Sequence, residues 1–498
     1  MSTASSPPLD MRRVKVDPVW ALRIPPTLAL RRQVLPFACV DDRVFVACAN
    51  IADQAALDAV ARFVGKAVQP EAADEATLRP LIQRIFGSLQ TTGAESRPLV
   101  RSESKASDGE PPDAVPVCDE LLYAALVREA SDIHLDPGPE RMDVRLRVDG
   151  YLEHYRTLPN SLQASVISRF KVLSGMDIAE KRSPQDGGFT HRYGNSSQAV
   201  DIRVATLPTK YGERMTLRLL ALQTEALTVE KLGMSPADQE IFERMIAMPH
   251  GMILLTGPTG SGKTTTLYSA LRRLIQAQVG NIITIEDPIE YAIPGVAQVE
   301  VDAGDKISFG RALRSVLRHD PDVVMIGEIR DRETADVAIK ASLTGHLVFS
   351  TLHTNSAAGV VTRMLDMGVE RYLIGATLRL AVTQRLVRRL CEHCRRVRPL
   401  TVKEAMALNR PNEAGRSVAD AVGCKYCANR GYGGRLGLFE MLPSDEDLSR
   451  RIAAGCSEPD LIAYSRERGC RLLLDDAVEK LFSFTTTVSE VMEAVAVW

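Results

Sequence analysis

Along the middle of the chain, short runs of apolar residues alternate with segments in which apolar residues recur at helical spacing. The first run, residues 252–255, precedes Leu267, Leu271 and Leu274, which recur at helical intervals. Three further runs have the same character of buried strands, at residues 282–285, 323–326 and 347–350. Strands that alternate with helices favour a parallel sheet that is covered by helices on both faces. The pattern therefore predicts an α/β domain over residues 232–389.

The pattern at the start of the chain predicts a smaller α/β module. Residues 43–48 have the composition of a strand, and residues 53–64 have the apolar spacing of a helix. We assign an N-terminal domain to residues 1–90. The next segment is rich in Ser, Glu, Pro and Gly and cannot bury enough apolar surface to offset its ordering entropy. It predicts a flexible linker over residues 91–116.

A second small module is predicted between the linker and the central domain. Residues 142–148 alternate apolar and charged side chains, which is typical of a half-buried strand. Asp149 and Gly150 then indicate a hairpin turn. Further strand candidates lie at residues 201–204 and 215–219. These features assign a second N-terminal domain to residues 117–231.

Composition and charge narrow the class of protein. The length of 498 residues exceeds that of a domain with a single hydrophobic core and suggests about three domains. A formal charge of −2 gives no general attraction to nucleic acid or to anionic membranes. No secretory signal and no apolar run long enough to span a bilayer are visible in the sequence. An odd number of cysteines, nine, then predicts a protein of the reducing cytosol.

A glycine-rich turn separates the first apolar run from the helix that follows it. Four residues lie between Gly257 and Gly262, and Lys263 and Thr264 come next, which completes the phosphate-loop pattern. Such a turn brings backbone N–H groups to phosphate oxygens at a helix N-terminus. We expect Lys263 to reach the β- and γ-phosphates of ATP and Thr264 to help hold Mg²⁺. The predicted nucleotide-binding residues are Gly257, Pro258, Thr259, Gly260, Ser261, Gly262, Lys263, Thr264 and Thr265.

Carboxylates follow two of the predicted strands. Glu328 comes just after residues 323–326, and Gly327 stands where a metal-binding Asp is usual. Because phosphoryl transfer to water requires a carboxylate that orients or deprotonates the water, Glu328 is the candidate for that task. Mg²⁺ then needs another acid, which Glu286 or Asp287 would supply. Adjacent residues of an extended chain cannot both face the site, so the choice between them stays open.

Two histidines bracket the last strand of this series. His346 precedes residues 347–350, and His353 follows them. A lone histidine is more often a hydrogen-bonded structural residue. Their placement nevertheless favours a role in sensing the γ-phosphate or in donating hydrogen bonds at an interface. Both are candidate catalytic residues, and the structural alternative stays open for each.

Four of the cysteines form two CxxC pairs, Cys391 with Cys394 and Cys424 with Cys427. Two such pairs offer four thiolates to a tetrahedral Zn²⁺ and leave no open position for catalysis. A redox site needs only one pair, so a thiol or vestigial site is the weaker alternative. We predict a tetracysteine zinc insert over residues 390–440. Helical apolar spacing beyond it predicts a C-terminal helical domain over residues 441–498.

A basic run surrounds the first cysteine pair. It could contact anionic lipid headgroups, an acidic loop of a partner or nucleic acid. The simpler interpretation is a solvated charged face that is paired with acids. The run consists of Arg385, Arg388, Arg389, Arg395, Arg396 and Arg398.

Taken together, these motifs resemble the secretion ATPase superfamily that powers type II secretion and type IV pilus assembly. The phosphate loop, the segment with Glu286 and Asp287, the glycine before Glu328 and the histidine segment all match. The second N-terminal domain matches as well, at residues 128–136, 184–187 and 212–214. The resemblance covers residues 117–495. It implies a RecA-like ATPase core and a PAS-like second N-terminal domain that caps the nucleotide.

The resemblance also implies an oligomeric state and a location in the cell. Members of this superfamily act as homohexamers, in which arginines of the second N-terminal domain reach the nucleotide. The matching positions here are Arg203 and Arg218. The N-terminal domain would dock on the cytoplasmic domain of an inner-membrane platform protein, and the motor would act on a polytopic platform protein. The chain would then be cytoplasmic and peripherally attached to the inner membrane.

The function implied by the resemblance is an ATP-hydrolysing motor for pseudopilus assembly and protein export in type II secretion. The alternative within the superfamily is an ATPase that extends type IV pili. A nucleic-acid translocase is disfavoured by the near-neutral charge and the few interleaved aromatic residues. A nucleotide-gated scaffold that barely hydrolyses ATP is a further alternative. We expect no binding of nucleic acid.

Overall fold

The computed structural model describes residues 7–87, 98–99, 113–193, 199–220, 228–301 and 308–495. Most of the linker predicted at residues 91–116 lies outside the described residues. Residues 114–116, at its end, are already helical. The helix begins there because the Asp113 side chain accepts a hydrogen bond from the Val115 N–H, which caps the first turn.

The chain divides into two compact units, and each is made of several segments. The first unit comprises Met1–Thr224, Cys391–Arg395 and Ala421–Gly433. The second unit comprises Glu225–Leu390, Arg396–Asp420 and Gly434–Trp498. Both cysteine pairs therefore belong to the first unit, and the phosphate loop belongs to the second.

The N-terminal part of the first unit is a three-stranded sheet with helices. Its elements are α1 (Pro18–Ala21), α2 (Pro26–Arg32), β1 (Val34–Val40), β2 (Arg43–Cys48), α3 (Gln54–Val64), β3 (Ala67–Ala72) and α4 (Glu75–Phe86). β1 pairs with β2 in antiparallel fashion, and β2 pairs with β3 in parallel. The strand predicted at residues 43–48 and the helix predicted at residues 53–64 are both present, as β2 and α3. Asp53 caps α3 by accepting a hydrogen bond from the Ala56 N–H.

The rest of the first unit is built on a six-stranded antiparallel sheet. Its elements are α5 (Ala114–Arg128), β4 (Asp132–Pro137), β5 (Arg141–Val148), β6 (Tyr151–Pro159), α6 (Asn160–Leu173), β7 (Gln185–Arg192), β8 (Ala199–Thr209) and β9 (Gly212–Leu220). The strand order is β6-β5-β4-β9-β8-β7. Asp149 and Gly150 form the predicted hairpin turn, with φ angles of 50° and 92°. Positive φ at both central residues matches the twist of the flanking strands, and Val148 pairs with Tyr151.

The strands of the second unit include all four predicted buried runs. They are β10 (Gly251–Thr256), β11 (Ile282–Glu286), β12 (Ala297–Glu300), β13 (Val323–Ile326), β14 (Leu347–Leu352), β15 (Leu378–Leu390), β16 (Arg396–Pro399), β17 (Ser417–Asp420) and β18 (Tyr432–Pro443). Seven of them form one sheet in the order β12-β11-β13-β14-β10-β15-β18. From β12 to β15, every neighbouring pair in this order is parallel. β16 and β17 form a separate antiparallel pair.

The helices of the second unit cover both faces of this sheet or pack beside β16 and β17. They are α7 (Pro236–Ile246), α8 (Lys263–Gln276), α9 (Phe309–Val316), α10 (Arg332–Leu343), α11 (Gly359–Asp366), α12 (Arg371–Thr377), α13 (Val402–Ala407), α14 (Glu446–Ala454), α15 (Glu458–Glu467), α16 (Leu473–Phe482) and α17 (Val488–Val495). Met252 and Leu254 lie in one apolar cluster, and Ile253 and Leu255 lie in another. Alternate residues of β10 thus enter opposite cores, as expected for a strand buried on both faces. The predictions of an α/β core and of C-terminal helices are confirmed.

The segment predicted as one zinc insert, residues 390–440, is shared between the two units. Its two cysteine loops lie in the first unit, and β16, α13 and β17 lie in the second. The physical reason is packing, because Leu400, Ala405 and Val418 join an apolar cluster with the C-terminal helices. Within the described residues, no helix combines the length and the apolar character that a membrane span requires.

Candidate active site

The phosphate loop joins β10 to α8 at the carboxyl end of the parallel strands. Gly262 caps α8 with a φ angle of 87°, a left-handed conformation that glycine adopts without steric cost. Gly257 has no room for a side chain, because a Cβ atom there would lie 2.4 Å from the carbonyl oxygen of Gln384. The loop therefore leads tightly from the strand into the first N–H groups of a helix. This is the local geometry that binds phosphate in other proteins.

Lys263 is the first residue of α8 and is only 9% exposed. Its Nζ donates hydrogen bonds to the carbonyl oxygens of Gly257, at 2.7 Å, and Pro258, at 3.0 Å. Burial lowers the pKa of Lys263, the carboxylate of Glu328 raises it, and the charge of Arg385 lowers it. The ammonium group is thus held by neutral oxygens. Phosphate oxygens would be stronger acceptors, because hydrogen bonds between charged partners are about twice as strong.

Glu328 follows β13 and lies close to two basic side chains. Its Oε1 forms an ion pair with Arg330, and its Oε2 lies 3.6 Å from Nε2 of His353. The Glu328 side chain is 16% exposed, so water can still reach it. The structure therefore brings Lys263, Glu328 and His353 together at one edge of the sheet. Arg330 is a site residue that the sequence analysis missed, although it lies only two positions after Glu328.

Glu286 and Asp287 have very different surroundings. Glu286 is 2% exposed, and its Oε1 accepts hydrogen bonds from Thr284 at 2.6 Å and Gln298 at 3.0 Å. Its Oε2 accepts a hydrogen bond from the hydroxyl of Tyr268. Asp287 is exposed, and its charge helps to raise the pKa of Arg330, the ion-pair partner of Glu328. Of the two acids, Asp287 is therefore the one that is available to a metal ion.

Oxygen donors suited to Mg²⁺ lie at the carboxyl ends of the parallel strands. Thr264 follows Lys263 in the first turn of α8 and is half-buried. Asp287 follows β11, which is separated from β10 by β13 and β14 in the sheet. Mg²⁺ prefers oxygen ligands and usually takes only one or two from the protein. The residues present thus fit the predicted ion.

The structure separates the two candidate histidines. β14 pairs in parallel with β10, so that Leu347 lies beside Gly251 and Leu352 beside Thr256. His346 is thus at the amino end of β14, about 20 Å along the strand from His353. Its Nδ1 lies 2.9 Å from the carbonyl oxygen of Ala341, which is a structural contact. His346 thus lies away from the phosphate loop of its own chain, whereas His353 lies at the same edge as that loop. The predicted role of His346, including that of an interface donor, stays a prediction.

Arg203 and Arg218 belong to the sheet of the first unit, on β8 and β9. They face each other directly across the two strands, and both are exposed. Nε of Arg218 donates a hydrogen bond to Oδ1 of Asp132 at 2.9 Å. Like charges placed opposite each other destabilise a sheet, and the carboxylate of Asp132 offsets part of this cost at Arg218. Their predicted role at a nucleotide stays a prediction.

The basic run is only partly a surface feature. Arg388 forms an ion pair with Glu490, and Arg398 forms ion pairs with Glu404 and Asp420. These pairs match the simpler interpretation of a charged face that is paired with acids. Arg385 is different, because it lies beside the phosphate loop. Its Nη1 is 3.0 Å from the position that a Cβ atom of residue 257 would occupy.

The four cysteines of the two CxxC pairs form one cluster in the first unit. All four Sγ atoms lie within 4.8 Å of one another. The Sγ atoms of Cys391 and Cys424 are 3.9 Å apart, and those of Cys394 and Cys427 are 3.8 Å apart. A tetrahedral zinc with Zn–S bonds of about 2.3 Å requires S–S distances of about 3.8 Å. The cluster therefore fits Zn²⁺, and His393 is not part of it because its ring stacks on Tyr426.

Comparison with known proteins identifies the family. The family model for type II/IV secretion system proteins matches residues 109–493. The chain belongs to that family. A second family model, for the MshEN domain, matches residues 5–92, which precede that region. The prediction of a secretion-family ATPase is confirmed.

The relatives of this secretion system protein come from several bacteria. It is 40% identical to the type II secretion system protein E of Pseudomonas aeruginosa, over 94% of this chain and 95% of the relative. It is also 40% identical to the type II secretion system ATPase E of Vibrio cholerae, over 87% of this chain and 85% of the relative. The type IV pilus assembly ATPase PilB of Thermus thermophilus is 38% identical, over 98% of this chain and 56% of the relative.

Solved structures support the same fold. The pilus retraction motor PilT with bound ADP has a TM-score of 0.52 and 29% sequence identity, over 75% of this chain and 95% of that one. The DotB ATPase of Legionella pneumophila has a TM-score of 0.58, over 78% of this chain and 98% of that one. At 22% identity, the latter likeness concerns the fold alone.

Proposed function

We propose that this protein hydrolyses ATP to drive pseudopilus assembly and protein export by a type II secretion system. The observation that carries the proposal is the meeting of Lys263, Glu328 and His353 at the edge where the phosphate loop begins. These residues are far apart in the sequence and come from three elements. A cation for the phosphates and a carboxylate for the attacking water are the two groups that this reaction requires.

The residues of the site have distinct tasks in this proposal. The loop N–H groups and Lys263 bind the phosphates, and Lys263 exchanges its contacts with Gly257 and Pro258 for contacts with the nucleotide. Glu328 orients the attacking water and accepts its proton. Arg330 and His353 hold the Glu328 carboxylate in place. Thr264 and Asp287 would hold Mg²⁺, which would neutralise charge on the phosphates when it is bound.

The wider assembly belongs to the same proposal. The active form is a homohexamer, in which Arg203 and Arg218 of one subunit reach the nucleotide of the next. The N-terminal domain holds the motor on the cytoplasmic domain of an inner-membrane platform protein, and a polytopic platform protein receives the force. The protein is then cytoplasmic and peripherally attached to the inner membrane. Zn²⁺ on the four cysteines is structural.

Extension of a type IV pilus is the second candidate. PilB of Thermus thermophilus is 38% identical to almost the whole of this chain. Type II secretion has the stronger support, because the relative from Pseudomonas aeruginosa is 40% identical and is covered over 95% of its own length.

One experiment tests the function and separates the two candidates. The wild-type protein and Lys263→Ala are compared for phosphate release and for complementation of two strains. One strain lacks its type II secretion ATPase, and the other lacks its pilus extension ATPase. We expect wild type to restore protein secretion, and Lys263→Ala to lose both hydrolysis and secretion. Hydrolysis by Lys263→Ala would contradict the assigned site, and restored pili without restored secretion would favour the second candidate.

A further inference from the structure

Arg385 connects two loops of the active site. It lies on β15, the neighbour of β10, two residues beyond the pair formed by Thr256 and Thr383. Its Nη2 donates a hydrogen bond to Oδ1 of Asn355 at 3.1 Å. Asn355 belongs to the loop after β14 that also carries His353.

The other side of the guanidinium group contacts the phosphate loop. Nη1 of Arg385 donates a hydrogen bond to the carbonyl oxygen of Gln384, at 3.4 Å. Both Nη1 and that oxygen lie against Gly257, within 3.0 Å of the position of an added Cβ atom. The guanidinium group of Arg385 therefore lies between the first glycine of the phosphate loop and Asn355, and it contacts both. A lysine could not make both contacts, because its charge is a single point on a flexible stem.

Gln384 adds a second link from the same strand. Its Oε1 accepts a hydrogen bond from the hydroxyl of Thr266 in α8 at 2.8 Å, and both residues are buried. Its Nε2 lies 2.9 Å from the position of a Cβ atom on Gly262. The end of β15 thus supports both glycines that shape the phosphate loop.

The loop after β14 has further anchors. The Thr354 N–H donates a hydrogen bond to Oγ1 of Thr256 at the end of β10, at 2.6 Å, and Oγ of Ser356 donates one to Oε1 of Glu458, also at 2.6 Å. Oε1 of Glu440 accepts a hydrogen bond from the Ala357 N–H at 2.7 Å, two residues beyond Asn355. Burial raises the pKa of Glu440, and the positive charge of Arg385 lowers it. Burial in turn lowers the pKa of Arg385, and Glu440 raises it. The two side chains stabilise each other's charges while they hold neighbouring parts of one loop.

We propose that Arg385 is a positioning residue, which sets the loop of His353 and Asn355 against the phosphate loop. The inference rests on the proposed ATP hydrolysis. His353 can approach Glu328 only if the loop after β14 stays beside β13 and β10. Loss of the Arg385 guanidinium releases one anchor of this loop, beside His353, so the carboxylate of Glu328 loses part of its support. Nucleotide binding is affected less, because the hydrogen bonds of Arg385 go to Gln384 and Asn355, whereas Gln384 makes the link to α8.

The test compares Arg385→Lys with Asn355→Ala and with the double variant. We expect Arg385→Lys to lower kcat between about tenfold and about a hundredfold, the range for a misplaced catalytic group, while KM for ATP changes little. Asn355→Ala should lower kcat by a similar factor. The double variant should be no slower than the worse single variant, since both remove the same link.

The control is Arg389→Lys, an exposed arginine four residues farther along β15, which should leave kcat unchanged. Binding of a fluorescent ATP analogue and the thermal midpoint are measured for every variant. If the fold-losses in kcat of Arg385→Lys and Asn355→Ala multiply in the double variant, the two residues act independently and the inference is wrong. A wild-type kcat in Arg385→Lys would also overturn it. If the wild-type protein releases no phosphate from ATP, the proposed function itself is wrong.

Discussion

At the scale of single residues, the surroundings of Glu328 decide what it can do. A carboxylate that accepts a proton from water must remain accessible and ionised. Glu328 is partly exposed, and it has Arg330 on one oxygen and His353 near the other. Both neighbours restrict the rotation of the carboxylate. A solvated acid at the end of a strand would have neither feature.

The first prediction concerns Glu328→Gln. The amide keeps the size of the side chain but cannot accept the proton, so we expect ATP binding to persist and turnover to fall by about 10²–10⁴-fold. Phosphate release and binding of a fluorescent nucleotide measure the two effects. Glu333→Gln is the control, since Glu333 is an exposed acid nearby that pairs with Arg314. Turnover at the wild-type rate in Glu328→Gln would refute the role of the carboxylate.

The second prediction separates Glu286 from Asp287. Asp287→Asn should raise the Mg²⁺ concentration that hydrolysis requires, because it removes the accessible acid. Glu286→Gln should mainly lower the thermal midpoint, because hydrogen bonds to a buried charged group contribute about 1.5–3 kcal/mol each. Mg²⁺ titration of the ATPase rate and thermal unfolding measure the two outcomes. The reverse pattern, with Glu286→Gln changing the Mg²⁺ requirement, would show that the assignment is wrong.

The sequence limits what could be predicted about individual residues. The phosphate loop is a local motif, so its residues could be assigned from spacing alone. The choice between Glu286 and Asp287 could not be made, since it depends on Tyr268 and Gln298, which are distant in sequence. Arg385 was assigned to a surface run for the same reason. Its neighbours Gly257 and Asn355 become visible only when the strands are ordered.

At the scale of elements, burial explains which strands could be predicted. β10, β11, β13 and β14 lie inside the sheet and are buried along their whole lengths, so each is a run of mostly apolar residues. β12 lies at the edge of the sheet and has no buried residue, and its four residues gave no signal. His346 shows a related limit. Two residues that bracket a strand are close in sequence, yet they lie at opposite edges of the sheet.

The third prediction concerns the cysteine loops. Elemental analysis should find about one zinc per chain, held by Cys391, Cys394, Cys424 and Cys427. Cys427→Ser should lose the metal and lower the thermal midpoint, because Sγ of Cys427 also accepts hydrogen bonds from the N–H groups of Cys424 and Gly431. A folded, metal-free wild-type protein would exclude the zinc site.

The control for the zinc prediction is another cysteine. Cys470 lies outside the cluster, and burial raises the pKa of its thiol. Cys470→Ser should keep the full zinc content and a thermal midpoint near that of the wild type. Equal loss of metal in both variants would mean that the effect of Cys427→Ser reflects general unfolding.

At the scale of the whole molecule, the groups that we propose for ATP hydrolysis are divided between the two compact units. The phosphate loop, Glu328 and His353 belong to the second unit, and Arg203 and Arg218 belong to the first. Arg203 and Arg218 face each other across β8 and β9 and are both exposed, so they are accessible to a neighbouring chain. An assembly in which neighbouring chains complete each other's sites would use the groups of both units.

The fourth prediction is made by mixing two inactive proteins. Arg218→Ala lacks the arginine that we propose to stabilise the transition state, and Lys263→Ala lacks the proposed phosphate-binding cation. If arginines act between subunits, a mixed hexamer contains some interfaces where an intact Lys263 meets an intact Arg218. Phosphate release should therefore reappear on mixing, as a fraction of the wild-type rate. An arginine finger contributes about 10³–10⁵-fold in rate, so even a few complete sites are measurable.

Two controls make the mixing experiment decisive. Arg192→Ala removes an exposed arginine of the neighbouring strand β7 and should stay active alone. Lys263→Ala mixed with Glu328→Gln should show no recovery, because both groups belong to the second unit and must act in the same chain. Sedimentation in the presence of a non-hydrolysable ATP analogue establishes whether mixed hexamers form. If they form and mixing Arg218→Ala with Lys263→Ala gives no activity, the arginines act within their own chain or not at all, and a site shared between subunits is ruled out.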